Sequence, residues 1–310
     1  GGIHRPRVRD RGTLRNRPAR TTLRELSVSI IMVDLLTLVY HCLVLALVVL
    51  GLAVVFGMLG VMNMAHGEFL MLGAFSAVTA QSAGLSPLWG VAIAILVCGV
   101  VGWVVERLMI RHLYLRPFDT LLATWGLSIL MREVIELIFG RGYQNVDMPF
   151  TGSVALLGVA YPTYRVLLMV ILVVLFAVLA LWYVRSPSGA RIRAMVGNPT
   201  LAQAVGISTT RLATGAFVFG VCTAGVAGAL LAPLVRVEPA MGLDYLLNSF
   251  FVLVVGGLGS LAGLAAGTGM IGGTQVVISN LFDQTSGYLA VLAVSLLFLW
   301  LKPNGLIARR

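Results

Sequence analysis

Lysine is almost absent from this sequence, since Lys302 is the only one among 310 residues. A P-loop requires the pattern G-x-x-x-x-G-K-[ST], in which the lysine contacts the β- and γ-phosphates of a nucleotide. Lys302 is followed by Pro303 and lacks the preceding glycines. These 310 residues therefore contain no P-loop, and a process driven by ATP would need another chain to bind the nucleotide.

Charged residues are scarce as well, and cysteines are few. Charged residues make up 11% of the chain and hydrophobic residues 59%, against about 25% and 45–50% in an ordinary soluble domain. This balance excludes disordered, collagen-like and disulfide-dense chains and predicts a polytopic membrane protein. Cys42, Cys98 and Cys222 are far apart and form no C-x-x-C or Cys/His spacing, so we expect no metal site. The four histidines suggest no Ser/His/Asp triad, and we expect no catalytic residues.

Arginines are concentrated at the start of the chain. Residues 1–26 contain eight arginines against Asp10 and Glu25. Such a cluster can bind nucleic acid or an anionic membrane surface. In a membrane protein it more simply follows the positive-inside rule. We therefore interpret residues 1–32 as an Arg-rich, disordered cytoplasmic tail beside membrane lipid, with no nucleic-acid partner.

Eight apolar stretches define a transmembrane domain over residues 33–310. They lie at about 33–64, 67–84, 88–106, 120–139, 163–184, 212–234, 247–280 and 287–301. Most fit a single crossing, but 33–64 and 247–280 are each over 30 residues long and rich in glycine. The predicted fold class is all-α, a polytopic helical bundle with about 8–10 transmembrane segments, because one crossing needs about 20 residues.

Basic clusters at 107–116, 185–211 and 302–310 indicate the topology. Cytoplasmic loops carry an excess of Lys and Arg, so these clusters and the tail are all expected on the cytoplasmic face. That arrangement requires each long stretch to break into two short helices or a re-entrant pair. The alternative is eight simple crossings with some basic ends outside. Irregular backbone at membrane depth lies against protein or an aqueous cavity, so both stretches are candidates for the translocation path.

The first informative motif, Asn63-Met64-Ala65-His66-Gly67-Glu68, joins the 33–64 stretch to the next helix. Glu68 can cap that helix, contact a substrate, or pair with His66, and the sequence leaves these readings open. The run Gly256-Gly257-Leu258-Gly259 is the second candidate, because small residues let helix backbones approach closely. Our candidates for the translocation path are Asn63, His66, Gly67, Glu68, Gly256, Gly257 and Gly259.

A third motif, SGARIRAMVGNPTLAQAVGI, covers residues 188–207. Asn198 suits a helix N-cap, Pro199 the first helical position and Gly206 a helix stop. The motif therefore predicts two short helices joined by a turn, too polar to span a membrane. Such a helix pair on the cytoplasmic face can dock a partner. The alternative is an interfacial amphipathic helix held by anionic lipid.

Arg132 and Glu136 lie one turn apart, late in the 120–139 helix, and are expected to pair. The topology places them near the outer face, as an interfacial ion pair or as a gate. The loop 140–162 and the segment 235–246 are then expected on the extracytoplasmic surface.

Five motifs, in order along the chain, resemble the permease subunits of ABC importers for branched-chain amino acids, urea and short amides. They are GLAVVFGMLGVMNMAHGEFLMLGA at 51–74, LLATWGLSIL at 121–130, GARIRAMVGNPTLAQAVGI at 189–207, FFVLVVGGLGSLAG at 250–263 and LKPNGLIARR at 301–310. The resemblance covers nearly all of residues 33–310 and leaves 1–32 without a counterpart.

The resemblance implies a multi-pass permease of the bacterial inner membrane that pairs with a second, related permease. Two cytoplasmic P-loop ATPase subunits, which bind the ATP, and a periplasmic substrate-binding protein would complete the importer, and this chain would hold no cofactor. The family's cytoplasmic coupling segment maps onto 185–211. Its docking residues would be Gly189, Arg191, Arg193, Ala194, Asn198, Pro199 and Gly206. The implied mechanism is alternating access, in which closure of the ATPases moves this segment.

Branched-chain, hydrophobic amino acids are the substrates that the resemblance implies first. Urea or short amides are the alternative, favoured by details of LLATWGLSIL and MNMAHGE. Two other protein classes stay open. An ion-coupled secondary carrier would need paired intramembrane carboxylates, for which Glu68 is the single candidate. A membrane enzyme would need a catalytic pair at one depth, and none is visible in the sequence.

Overall fold

Helices make up most of the computed structural model, which describes residues 19–114, 116–156, 158–257, 261–302 and 305–306. The α-helices are α1 Ala19–Leu59, α2 His66–Ser82, α3 Trp89–Val105, α4 Arg111–Leu113, α5 Pro117–Phe139, α6 Thr163–Arg185, α7 Pro187–Gly197, α8 Pro199–Ala204, α9 Thr209–Leu231, α10 Met241–Gly256, α11 Leu261–Leu281 and α12 Gln284–Leu301. A π-helical segment, Glu106–Ile110, follows α3, and a 3-10 segment, Ala232–Leu234, follows α9. Strands β1, Ser153–Leu156, and β2, Val159–Pro162, form an antiparallel hairpin with Ser153 opposite Pro162.

The long helices confirm a polytopic all-α membrane protein. Nine helices in the described ranges have 16 residues or more, which agrees with the predicted number of segments. Five described spans are long and apolar enough to cross a membrane: Ser29–Leu59, Trp89–Leu113, Thr163–Arg185, Thr209–Leu234 and Gln284–Leu301.

α9 lies at the centre of the bundle and packs against α1, α2 and α3. Glycines occupy its closest contacts. Gly220 meets the backbone of α1 at Gly51, and Gly228 meets the backbone of α2 at Leu70. A Cβ at either position on α9 would overlap its neighbour. Small residues at membrane helix contacts permit this approach, so the glycines of α9 hold the core together.

One end of the bundle carries the loop that follows α5, and we call it the loop face. Asp147 in this loop donates its backbone N–H to the Gln81 side chain at the end of α2, at 2.7 Å. Gln144 forms a β-bridge with Val237, in the segment after α9. The loop 140–162 and the start of the segment 235–246 therefore share one face, as the sequence predicts.

The opposite end carries the basic residues, and we call it the basic face. Arg111 donates from Nη2 to Thr214 Oγ1 at 3.1 Å, near the start of α9. This contact brings the 107–116 cluster beside the end of the 185–211 segment. α5 and α6 run out to the loop face and back between these two clusters, as expected.

α1 begins on the loop face, contrary to the predicted topology. Thr37 Oγ1 lies 3.4 Å from the Tyr161 hydroxyl, and Asn280 at the end of α11 donates to Asp34 Oδ1 at 3.2 Å. α1 then runs unbroken to Leu59 and contacts α7 on the basic face. Three helices, α1 to α3, thus separate the chain start from the 107–116 cluster. The expectation of two short helices within 33–64 is corrected, because α1 is continuous there. Residues 1–18 of the expected tail lie outside the described ranges.

The glycines of the first stretch explain this difference. Gly51 keeps a helical conformation and packs against Gly220 instead of breaking α1. The helix ends only where Gly60 takes a positive φ of 65°. α1 also begins at Ala19, so residues 19–32 of the expected disordered tail are helical, while residues 1–18 lie outside the described ranges.

The second long stretch does break, as predicted. α10 ends at Gly257, where φ is +98°, and α11 begins at Leu261. Gly259, one of our path candidates, lies in 258–260, outside the described residues. α9 to α12 make an even number of helices between the 185–211 segment and Lys302, which places both on the basic face as expected.

Candidate functional site

The segment 60–65 is non-helical backbone between α1 and α2, and it lies inside the bundle. Asn63 Oδ1 accepts the backbone N–H of Ala65 at 3.1 Å, and the Asn63 carbonyl accepts that of His66 at 3.2 Å. No side chain caps α2, so the capping role suggested for Glu68 is not observed. Asn63, His66 and Glu68 are each 1–2% exposed.

The Glu68 carboxylate instead crosses to α5. Its Oε1 accepts hydrogen bonds from Ser128 Oγ at 2.9 Å and from Arg132 Nη2 at 2.8 Å. The predicted pair between Arg132 and Glu136 is therefore wrong, because Glu136 pairs with Arg141 at 3.0 Å. Burying an ion pair inside a membrane protein costs free energy, and charged residues found there usually have a function. The pair of Glu68 and Arg132 is therefore the first functional candidate of the structure.

His66 contacts α1 and not Glu68. Its Nε2 lies 2.9 Å from the Val48 carbonyl oxygen. A carbonyl only accepts, so Nε2 carries the proton and Nδ1 keeps a lone pair. The pairing of His66 with Glu68 considered from the sequence does not form, and His66 fastens the start of α2 to α1.

α5 presents a polar stripe to this region, which our sequence reasoning missed. Thr120, Thr124, Ser128 and Arg132 follow one another at four-residue spacing along one helix face. Met64 donates its backbone N–H to Thr124 Oγ1 at 3.1 Å. The signal was present in the sequence, since a polar residue at every fourth position of an apolar helix marks one face.

α10 packs against the start of α2 and against α11 through pairs of glycines. Gly67 and Gly242 pack backbone against backbone, and a Cβ on either would overlap the other residue. Gly256 packs in the same way against Gly263 of α11. The two candidate regions are therefore both contact points of α10, one with α2 and one with α11.

A small cavity of about 80 Å³ opens beside the 60–65 segment. Its lining is apolar except for Asn63, and the residues that line it are Leu52, Phe56, Met62, Asn63, Met64, Leu246, Phe250, Leu253 and Val254. An engineered cavity of about 150 Å³ holds benzene, so this cavity suits a short aliphatic group.

The predicted helix pair on the basic face is present as α7 and α8. Ser186 Oγ accepts the N–H of Gly189 at 2.9 Å, and Asn198 Oδ1 accepts that of Leu201 at 3.0 Å. Pro199 is the first residue of α8, and Gly206 follows the helix with a φ of +83°. The predicted N-cap, start and stop are all confirmed.

Two of the expected docking residues fasten the pair to α6. Gly189 is buried against the Tyr183 backbone. Arg193 donates to the Tyr183 carbonyl and lies over its ring, with 5.3 Å from Cζ to the centroid. The other expected docking residues are exposed: Arg191, Ala194, Asn198, Pro199 and Gly206.

Two exposed apolar side chains, one on α8 and one directly after it, were not selected by our sequence reasoning. Leu201 is 63% exposed and Val205 70% exposed. They lie four residues apart, hence on one face. Exposed apolar residues on an otherwise polar segment favour a protein contact.

A second buried carboxylate, Glu106, lies near this surface in the π-helical segment. Its Oε1 accepts the Tyr114 hydroxyl at 2.9 Å, and Arg111 Nε lies 3.5 Å away. Burial first, and then the bond to Glu106, raise the pKa of Tyr114 above its usual range, so the phenol stays a donor. Through Arg111 and Thr214 this group connects α3 with α9.

The comparison with known proteins agrees with this architecture. Residues 34–301 match the family model described as branched-chain amino acid transport system / permease component. The chain belongs to this family. This permease is 28% identical to the high-affinity branched-chain amino acid transport system permease protein LivH of Salmonella typhimurium, over 85% of this chain and 91% of LivH.

Two further relatives show the breadth of the similarity. BraD of Pseudomonas aeruginosa, a high-affinity branched-chain amino acid transport system permease protein, is 26% identical over 85% of this chain and 91% of BraD. The fructose import permease protein FrcC of Rhizobium meliloti is 25% identical over 67% of this chain and 57% of FrcC. No solved structure matches this permease. The protein is thus a multi-pass inner-membrane permease and one component of a transport system.

Proposed function

We propose that this permease forms the translocation path of an ATP-driven importer for branched-chain, hydrophobic amino acids. A second, related permease completes the path. Two P-loop ATPases bind ATP and dock on the basic face, and a periplasmic binding protein delivers the substrate to the loop face. The lack of a P-loop in these 310 residues fits a supply of energy from separate chains.

The observation that carries the proposal is the exposed surface of α7 and α8. Arg191 lies on α7, and the exposed apolar side chains of Leu201 and Val205 lie on α8 and directly after it. The segment 185–211 contains four arginines and no acidic residue. Apolar anchors beside positive charge suit an acidic groove on a soluble partner.

The substrate class rests on the cavity beside Asn63. Its apolar walls accept an aliphatic side chain. A sugar such as fructose needs hydrogen-bond partners for its hydroxyl groups, and Asn63 is the only polar residue among the described residues of the lining. The names of LivH and BraD support the same substrate class.

Purification of the tagged chain from its native membranes tests the docking. We expect P-loop ATPases to co-purify with the wild-type chain. Arg191→Glu places a negative charge opposite the acidic groove that we propose on the ATPase. Like charges that meet across an interface cost several kcal/mol, so ATPase recovery should fall about tenfold. Arg141→Glu changes an arginine that is 86% exposed on the opposite, loop face and should leave recovery unchanged.

Uptake measurements test the substrate. Labelled leucine should enter cells that contain the complete system, with strong competition by valine and none by urea, acetamide or fructose. Leucine uptake that needs an ion gradient and no ATPase would instead identify a secondary carrier. Competition by urea or acetamide, without competition by valine, would identify short amides as the substrates.

A further inference from the structure

The buried ion pair between α2 and α5 leaves one atom of each partner unused. Glu68 Oε1 is bonded to Ser128 and Arg132. Glu68 Oε2 and Arg132 Nε are both buried, and neither has a hydrogen-bond partner among the described residues. Buried charged groups normally use all their bonding capacity, and these two atoms have capacity left for a ligand.

The free atoms have complementary chemistry. A carboxylate oxygen only accepts hydrogen bonds, and a guanidinium nitrogen only donates them. A ligand that satisfies both must carry a donor, best a cation, and an acceptor, best an anion, close together. The ammonium and carboxylate of an α-amino acid meet this requirement, whereas urea and sugars carry neither charge.

One partner of the pair is partly exposed at the edge of the bundle. The Arg132 side chain is 21% exposed although its Nε is buried. Arg132 lies seven residues before the end of α5 at Phe139, which is about 10 Å along the helix at 1.5 Å per residue. The pair therefore lies in the half of α5 nearer the loop face, and it is accessible at one edge.

An apolar pocket lies close to the pair along the same seam. Met64 lines the cavity beside the 60–65 segment and donates its backbone N–H to Thr124. Thr124 is one helical turn from Ser128, which bonds Glu68. A molecule with a charged head and an aliphatic side chain can therefore use both places.

We propose that Glu68 and Arg132 bind the zwitterionic head group of the transported amino acid. Glu68 Oε2 accepts a hydrogen bond from the ammonium, and Arg132 Nε donates one to the carboxylate. The aliphatic side chain points to the cavity lined by Met64 and Leu246. This inference rests on the proposed function and adds to it the residues and the charge pattern that select the substrate.

Binding of labelled leucine to the purified full chain tests the site without the selectivity of a binding protein. In Glu68→Gln/Arg132→Gln, two neutral amides replace the charged pair and can still bond each other. We expect the leucine Kd of this variant to rise at least tenfold. With the wild-type chain, leucinamide, which lacks the carboxylate, and 4-methylpentanoate, which lacks the ammonium, should each compete at least tenfold less well than leucine.

Two controls separate recognition from a structural role. Glu136→Gln removes a carboxylate from the same helix, where it pairs with the exposed Arg141, and should leave the Kd unchanged. Arg132→Lys keeps a positive charge for Glu68 but has no Nε, and it should raise the Kd for leucine. This single variant decides the matter if the double variant does not insert.

An unchanged Kd in the neutral pair, or in Arg132→Lys, would overturn the site and show that the ion pair only holds α5 in place. Absence of leucine binding to the wild-type chain, while uptake by the complete system is normal, would overturn it too. Failure of the complete wild-type system to take up leucine would instead contradict the proposed function.

Discussion

Gly73 on α2 and Gly225 on α9 meet backbone to backbone, and a Cβ on Gly73 would overlap the Gly225 carbonyl. Cys98 of α3 fills the other side of Gly225 and donates its thiol to the Phe69 carbonyl of α2 at 3.5 Å. Three helices thus converge on one glycine. This contact ties α2 to α9 and α3, so its packing bears on the stability of the bundle.

Gly73→Ala should destabilise the bundle. The added methyl meets backbone that cannot move aside, and overpacking of this kind is worth about 1–3 kcal/mol. Thermal unfolding of the purified protein in detergent should show a lower Tm. Gly126→Ala is the matched control, because a Cβ there has open space. A Tm for Gly73→Ala equal to that of Gly126→Ala would contradict the close contact.

Asn198→Ala should loosen α8. The substitution removes the oxygen that accepts the Leu201 N–H, a cap worth about 1 kcal/mol. Hydrogen exchange at the amide of Leu201 should accelerate, and ATPase co-purification should fall. Asn198→Asp retains the accepting oxygen and should keep slow exchange. Equal exchange in both variants would mean that α8 does not depend on this cap.

Tyr114→Phe should destabilise the basic end of α3. It removes the donor to the buried Glu106 carboxylate, and hydrogen bonds to charged groups are worth about 1.5–3 kcal/mol. Tyr143→Phe, at a side chain that is 59% exposed, should have no effect on Tm.

The Tyr114 effect also has an expected pH dependence. The pKa of Tyr114 is raised in the folded protein, mainly by burial. A raised tyrosine pKa contributes stability below the unfolded value of about 10 and loses it at higher pH. The Tm difference between Tyr114→Phe and wild type should therefore stay constant from about pH 6 to 9. A difference that disappears within this range would contradict the assigned hydrogen bond.

Leu246→Ala should change substrate preference. Leu246 is 7% exposed and lines the cavity beside Asn63, so truncation enlarges the space for a substrate side chain. The ratio of leucine uptake to phenylalanine uptake should fall about tenfold, because one methylene group more or less in an apolar pocket changes specificity by about this factor or more. Leu247→Ala alters the next residue, which is 57% exposed and outside the cavity, and should leave the ratio unchanged.

Local features of the segment 185–211 could be predicted from the sequence. Asn198, Pro199 and Gly206 act within a few residues of the helix ends that they define, so these helix ends can be predicted without knowledge of the fold. The sequence did not predict which residues of α7 and α8 face outward. Gly189 and Arg193 point back to Tyr183 of α6, whereas Leu201 and Val205 project outward.

The partner of Arg132 shows where such local reasoning ends. A residue one turn away, Glu136, is the natural partner on an isolated helix. In the folded protein Glu68, 64 positions earlier, takes its place, because the packing of α2 on α5 brings a buried carboxylate within 2.8 Å. The choice depends on which helices are neighbours, and a sequence pattern on one helix does not contain that information.

The amino-acid sequence by itself determined the membrane class, the lack of a P-loop in these 310 residues and the helix ends of the segment 185–211. Composition and capping act through solvent preference and short-range hydrogen bonds. Tertiary structure decided the direction of α1 and the function of its glycines. Gly51 could break a helix or let another approach closely, and only the presence of Gly220 across the contact selects the second. For the same reason α1 stays unbroken and begins on the loop face, although arginine counts alone favour the opposite side.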